Sequence, residues 1–288
     1  MLIRRLSSAL GVLCAGVTLA LAHEPLWGET PTIFGPYVFH PEIHFGYHGG
    51  PMREGHADVG LQYGINRFVN VKATLPMGRM EMDESVGGTT EETRVSGIGD
   101  ALVAMKWRFF LEQEKGYQLS QALVAGWKLP TGNDDSLDAA GNRLPPGMQS
   151  GSGKHGLELG YAIDRERLKD NLWASAFYMH DFGDGFRRGD MFEADAAYGR
   201  WVVLPNVADD LGINLAVGAH AEWTADDHLE DDTTAGNAHR YAGIHFTPIF
   251  TKGRAQYRVG VFIPLYKGGS EVETDFDYEL RAGWEMFF

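Results

Sequence analysis

The sequence holds a single cysteine, Cys14. That excludes a disulfide framework, thiol catalysis and cysteine-ligated metal, and with them the stapling that small secreted domains use. Positive charge is also scarce. Lys and Arg number 25 against 39 Asp and Glu, a formal net charge of −14. So acidic a chain lacks the footprint for binding nucleic acid, or anionic lipid through a basic patch. After residue 22 there is no apolar run of about 18 residues, so no helix is long and greasy enough to cross a bilayer.

The first residues indicate export. Arg4 and Arg5 precede an apolar stretch from Leu10 to Leu21, which ends at Ala20-Leu21-Ala22 before His23 and Glu24. A basic start, a short apolar core and an A-x-A site predict a secretory signal peptide over 1–22, cleaved after Ala22. About a dozen apolar residues are too few for a helical anchor across ~30 Å of hydrocarbon. A lipoprotein signal does not fit, since Leu13 stands before Cys14 where a small residue is needed. Cleavage would remove the only cysteine and take the net charge to −16. A soluble periplasmic protein and an outer-membrane barrel both remain possible.

What the chain has in abundance is period-two alternation. Val59, Leu61, Tyr63 and Ile65 interleave with Asp58, Gly60, Gln62 and Gly64. Successive strand side chains point to opposite faces, so one face is greasy and the other small or polar. The pattern returns over 69–75, 101–109, 118–129, 157–163, 192–198, 211–223 and 256–265. Residues 172–180 and 240–249 are less regular, and Pro41 weakens a first strand near 37–47 by removing a ladder donor. The count is about twelve strands, near the 9–11 residues that a tilted membrane strand requires.

Connections alternate in kind. Short ones are expected at 66–68, 110–116, 164–170, 202–210 and 251–254. Longer polar ones are expected at 48–56, 77–96, 130–153, 181–190, 224–238 and 266–274. With a periplasmic N-terminus every long loop falls outside, as in outer-membrane barrels. The C-terminus repeats the theme: Phe276, Tyr278, Leu280, Ala282, Trp284, Met286 and Phe288 alternate with Asp277, Glu279, Arg281, Gly283 and Glu285. The last strand of a soluble sandwich would also alternate, but here the pattern runs to the final residue with no polar tail. The predicted fold is all-β, a transmembrane antiparallel up-and-down barrel over 37–288, preceded by a periplasmic N-terminal segment over 23–36. Trp107, Trp127, Trp173, Trp201, Trp223 and Trp284 are expected in interface girdles.

Residues 97–109, Gly-Ile-Gly-Asp-Ala-Leu-Val-Ala-Met-Lys-Trp-Arg-Phe, resemble the outer-membrane family named for the MetA pathway of phenol degradation. Gly126-Trp-Lys-Leu-Pro-Thr-Gly132 with Gly151-Ser-Gly153 is similar to that family's next strand and loop. The resemblance implies an outer-membrane barrel with a transport role and an unassigned substrate. Residues 23–56, with Trp27-Gly28-Glu29-Thr30, depart from it.

If the parity is right, the inward set includes Lys72, Lys106, Arg108, Lys128, Glu158, Glu193, Asp195, His220, Glu222, Arg258, Glu279, Arg281 and Glu285. Charges inside a membrane are tolerated when they face water or each other, and opposed charges select permeants. They could equally form a salt-bridge network that plugs a narrow barrel. Tyr278, Trp284 and Phe288 are read as the signal for the barrel-assembly machinery. No cofactor and no metal is assigned. His40, His44, His48 and His56 cluster in sequence, but neighbours four apart on a strand sit 13–14 Å apart at ~3.4 Å per residue. Asp226-Asp227-His228-Leu229-Glu230-Asp231-Asp232 is acidic but lacks the residue order of a calcium loop. Ser120, Ser175 and His180 suggest no catalytic arrangement. The expected function is a channel or substrate-selective passive transporter for small solutes. The alternatives are a structural or lipopolysaccharide-binding barrel without an open pore and, behind it, a membrane-embedded lipid hydrolase. Expected partners are outer-membrane lipid, lipopolysaccharide and a small solute, with no nucleic acid.

Overall fold

The computed structural model describes residues 25–49, 53–86, 89–138, 141–144, 146–205, 210–229, 234, 236, 238–269 and 276–288. The expected signal peptide lies outside the described residues. The strands are β1 (Phe39–Gly49), β2 (Arg53–Asn66), β3 (Val69–Val86), β4 (Thr89–Ile98), β5 (Ala101–Glu114), β6 (Tyr117–Leu129) and β7 (Gly156–Arg167). They continue as β8 (Asp170–Asp181), β9 (Met191–Val203), β10 (Gly212–Thr224), β11 (His239–Lys252), β12 (Ala255–Gly269) and β13 (Tyr278–Met286).

Consecutive strands pair antiparallel except β4 and β5, and β1 pairs with both β2 and β13, which closes the ring. β3 pairs with β2 on one edge and has two partners on the other: Val69–Thr74 pair with β5, and Met77–Val86 pair with β4. β4 therefore continues the line of β5, and the closed barrel has twelve strand positions. Closure leaves no open edge around the ring itself, the condition under which β-structure satisfies its backbone groups in lipid, whereas β4 is laddered to β3 alone.

Two expected loops are strand instead. Residues 77–86 and 89–96 are ladder between β3 and β4, and 48, 49 and 53–56 belong to β1 and β2. The acidic stretch from Glu81 to Glu92 has no greasy face, so alternation gives no strand signal there, although the two backbones satisfy each other. β5 also runs past its expected end, to a turn at Lys115 and Gly116, where Gly116 takes φ +74°. Otherwise the asymmetry is as expected. Connections at the end carrying the chain termini are tight at 67–68, 115–116, 168–169 and 253–254, whereas 130–155, 182–190 and 225–238 crowd the opposite end.

Parity sorts the wall. Val103, Met105 and Trp107 on β5 are 42%, 47% and 48% exposed, while Ala104 and Lys106 between them are buried. Trp107, Trp127 and Trp223 point outward with them. Trp173 does not join them. It shares the inward parity of Asn171 and Ser175 and is buried against Ala197, Ala216 and Ile249. Trp201 also turns inward, paired across the ladder with the buried Asn214.

The segment before β1 departs most from its expected place. Rather than lying beside the barrel, residues 25–34 run inside it, with Leu26, Trp27, Thr30, Thr32, Ile33 and Phe34 all buried. The chain leaves the lumen at Tyr37, the one non-glycine residue with positive φ (68°) among the described residues.

Candidate functional site: the barrel lumen

The structure places all thirteen residues of the inward set on the lumen-facing parity of their strands. They fall into sectors. Lys72, Lys106, Arg108 and Lys128 come from β3, β5 and β6, while Glu158, Glu193, Asp195 and Glu222 come from β7, β9 and β10. Most of the cations already have partners. Lys72 Nζ lies 2.7 Å from Glu42, Lys106 Nζ lies 2.7 Å from Glu29, and Lys128 pairs with Asp181. Arg281 sits 2.5 Å from Glu279 and Arg258 sits 3.3 Å from Glu285. Such pairs compensate the large cost of burying ions.

The N-terminal segment is seated by these same groups. Arg281 donates to the Leu26 carbonyl at 3.0 Å, Arg258 to the Pro25 carbonyl at 3.3 Å, and Lys106 to the Thr30 carbonyl at 2.9 Å. Trp27 stacks on His245 at 4.8 Å, lies under the Arg281 guanidinium at 5.0 Å, and donates its indole N–H to Glu279 at 3.3 Å. Two glycines make the room. Gly28 adopts φ +72°, and a β-carbon there would lie 2.4 Å from Ser175 Oγ; at Gly260 one would lie 2.5 Å from the Trp27 ring. Lower down, Phe34 packs on His40 at 4.2 Å.

Above the segment the lumen opens into a cavity of about 560 Å³, continuous through shared lining residues with a second space of about 320 Å³ nearer the long loops. Loop 130–155 folds inward over this space. Arg188 donates to the Pro146 and Gln149 carbonyls at 3.1 and 2.7 Å, and Asp227 accepts from the Gly147 and Gly189 backbone N–H groups. Asp100, between β4 and β5, pins the loop base by accepting from Gly132 N (2.9 Å), Ser152 N (2.7 Å) and Ser152 Oγ (2.8 Å). Burial alone would raise its carboxyl, but these donors outweigh burial and hold it below the ordinary carboxylate range.

A depressed pKa contributes stability that is complete above the unfolded value of about 3.9 and is lost as pH falls through the folded one. We therefore expect the loop to resist protease from neutral pH down to about pH 4. Asp100→Ala should make it cleavable at pH 7 in an otherwise intact barrel, as read by limited proteolysis.

A family model described as "Putative MetA-pathway of phenol degradation" matches residues 54–252, more than half of the chain. The chain belongs to this family. Among solved structures, an outer membrane channel from Pseudomonas putida F1 superposes with TM-score 0.68 at 14% identity, covering 88% of this chain and 97% of that one. The NanC porin aligns with TM-score 0.46 at 8% identity over 85% and 98%, and LpxR from Salmonella typhimurium with 0.44 at 8% over 86% and 100%. No curated protein matches the chain by sequence. At 14% identity the likeness to the Pseudomonas channel establishes the outer-membrane barrel fold.

In this member of the phenol-degradation family the histidines do not act as one cluster. His40, His44 and His48 descend one inward face, as spacing required, but ladder pairing brings His56 of β2 within 5.9 Å of His48, a cross-strand contact that spacing along one strand could not show. His40, Glu42 and Glu285 place possible ligand atoms within 4.8 Å of one another. Lys72 and Arg258 already neutralise the two carboxylates, so the group reads as an ion-pair network. Ser175 and His180 lie on opposite faces of β8. Ser175 accepts from the Glu29 backbone inside, whereas His180 meets Asp190 at 2.6 Å on the outside. Asp226 and Asp227 spend their oxygens on loop backbone, and 230–232 lie outside the described residues.

Proposed function

We propose that the protein is an outer-membrane channel, or a substrate-selective passive transporter, for small solutes. The observation that carries this reading is a large, charge-lined cavity inside a closed barrel whose outer surface is apolar. Localisation in the outer membrane of a Gram-negative cell follows, with export by the cleaved segment 1–22 and the short turns on the periplasmic side. Tyr278, Trp284 and Phe288 would present the closing strand to the barrel-assembly machinery, and lipopolysaccharide would meet the outer wall. The Pseudomonas protein is itself named as an outer membrane channel.

A second reading has one specific observation in its favour. Residues 25–34 fill the terminal end of the lumen, as expected of a binding or structural barrel without an open pore. Single-channel recording in a planar bilayer separates the two. A channel gives discrete steps that grow with salt and prefer cations, since Asp and Glu outnumber Lys and Arg around the larger cavity. A barrel that is folded, judged by heat-modified mobility, yet electrically silent would favour the second reading.

A further inference from the structure

The carboxylates of the lumen are not all matched by cations. Glu42, Glu29, Asp181 and Glu279 each hold one of the lysines or arginines described above. On the wall from β7 to β10 the balance differs. Among the described residues Glu158 makes no hydrogen bond or ion pair, and the nearest basic group to Glu193 is His220 Nδ1 at 3.9 Å.

Between these two carboxylates lies an aromatic platform. In the ladder Glu158 stands opposite Met179, and Phe177 stands opposite Glu193 on its other side. The Phe177 ring lies over Gly160, where a β-carbon would come within 2.2 Å of it, so only glycine lets the ring rest on the wall. Glu158, Glu193, Phe177 and Met179 all line the larger cavity. Behind Glu193 stands His220, 2% exposed, with neither ring nitrogen hydrogen-bonded and Nδ1 3.9 Å from both Glu193 and Asp195.

Two carboxylates without an ion-pair partner beside an apolar ring lack compensation for their desolvation, which they gain either by taking up protons or from an entering cation. We propose that this wall is a binding site for an organic ammonium ion, its charged head between Glu158 and Glu193 and its apolar body on Phe177 and Met179. A charge-assisted hydrogen bond to carboxylate and a cation–π contact are the two interactions that such a ligand gains and a neutral isostere does not. A bare metal ion would gain little from the phenyl ring and methionine that form the centre of the site.

The inference rests on the channel reading, naming the class of solute, but is tested without conduction. The full chain, folded in detergent, is titrated calorimetrically with 2-phenylethylammonium and, separately, with neutral 2-phenylethanol. The cation is expected to bind about tenfold or more tightly than the alcohol, and Glu158→Gln and Glu193→Gln should each weaken it by about tenfold. Heat-modified mobility verifies that both variants are folded barrels. Equal affinity for cation and alcohol, no binding of either, or glutamine variants that bind the cation as the parent does would overturn the site. A barrel that conducts but shows no preference for the cation removes this inference alone, whereas one that binds the cation but never conducts removes the channel reading alone.

Discussion

Deleting residues 25–34 should raise single-channel conductance several-fold while leaving a folded, heat-modifiable barrel. The segment contributes no strand to the ring, so its removal breaks none of the ladder pairings that close β1 on β2 and β13. It does occupy lumen cross-section. An indole and a phenyl ring each take up about 150–250 Å² of surface when buried, and Trp27 and Phe34 are both buried there. Its loss frees Lys106 from Glu29 and exposes Glu279 to water, so the widened path should also change its ion preference. Trp27→Ala is the milder variant and should move conductance in the same direction. If neither change alters conductance, the segment is not the constriction.

The second large effect concerns Arg258. Its side chain is fully buried, and the guanidinium meets Glu285 at 3.3 Å, His44 at 2.9 Å and the Pro25 carbonyl at 3.3 Å. Glu285 is completely buried and stands directly across the ladder from Glu42, another carboxylate. Like charges directly opposite one another are unfavourable, and removing one partner of a buried pair costs about 3–5 kcal/mol. Arg258→Met should therefore lower the unfolding free energy by about that amount, measured from denaturant midpoints in detergent micelles. Adding Glu285→Gln should restore a large part of the loss, because the stranded charge and not the lost contact is the main penalty. A double variant as unstable as the single one would show that the arginine acts through packing instead.

How much of this was readable in the residues depends on periodicity. Along β2, β5 and β13 an apolar residue at every second position leaves one consistent assignment of faces, which is why the charged residues of those strands could be placed inward from sequence. β8 offered the same information less plainly. Asn171, Ser175 and Asp181 fix the odd positions as inward, and Trp173 had to follow them despite being an aromatic of the girdle type. The β3–β4 hairpin was hidden because a stretch from Glu81 to Glu92 with charge on every side carries no amphipathic signature. The N-terminal segment was hidden for a different reason. Its place is set by contacts with residues 76 to 255 positions away, and no local pattern reports those. Its one local clue is a Trp-Gly pair in a short stretch with neither strand nor helix periodicity.

The seating of that segment also constrains the order of assembly. Trp27 bonds Glu279, and Leu26 bonds Arg281, partners 252 and 255 residues away on the closing strand. A segment that precedes β1 is thus held in part by the strand that closes the ring. Contacts of such separation carry a large loop-closure cost and form late. Before β13 joins β1 and β12, the segment has only its partners on earlier strands, Lys106, Ser175, His245 and Arg258, and its tryptophan end lacks Glu279 and Arg281. Completion of the wall thus also completes the seat, and a defect in β13 should loosen the segment and show itself as a leaky barrel before it shows as an unfolded one.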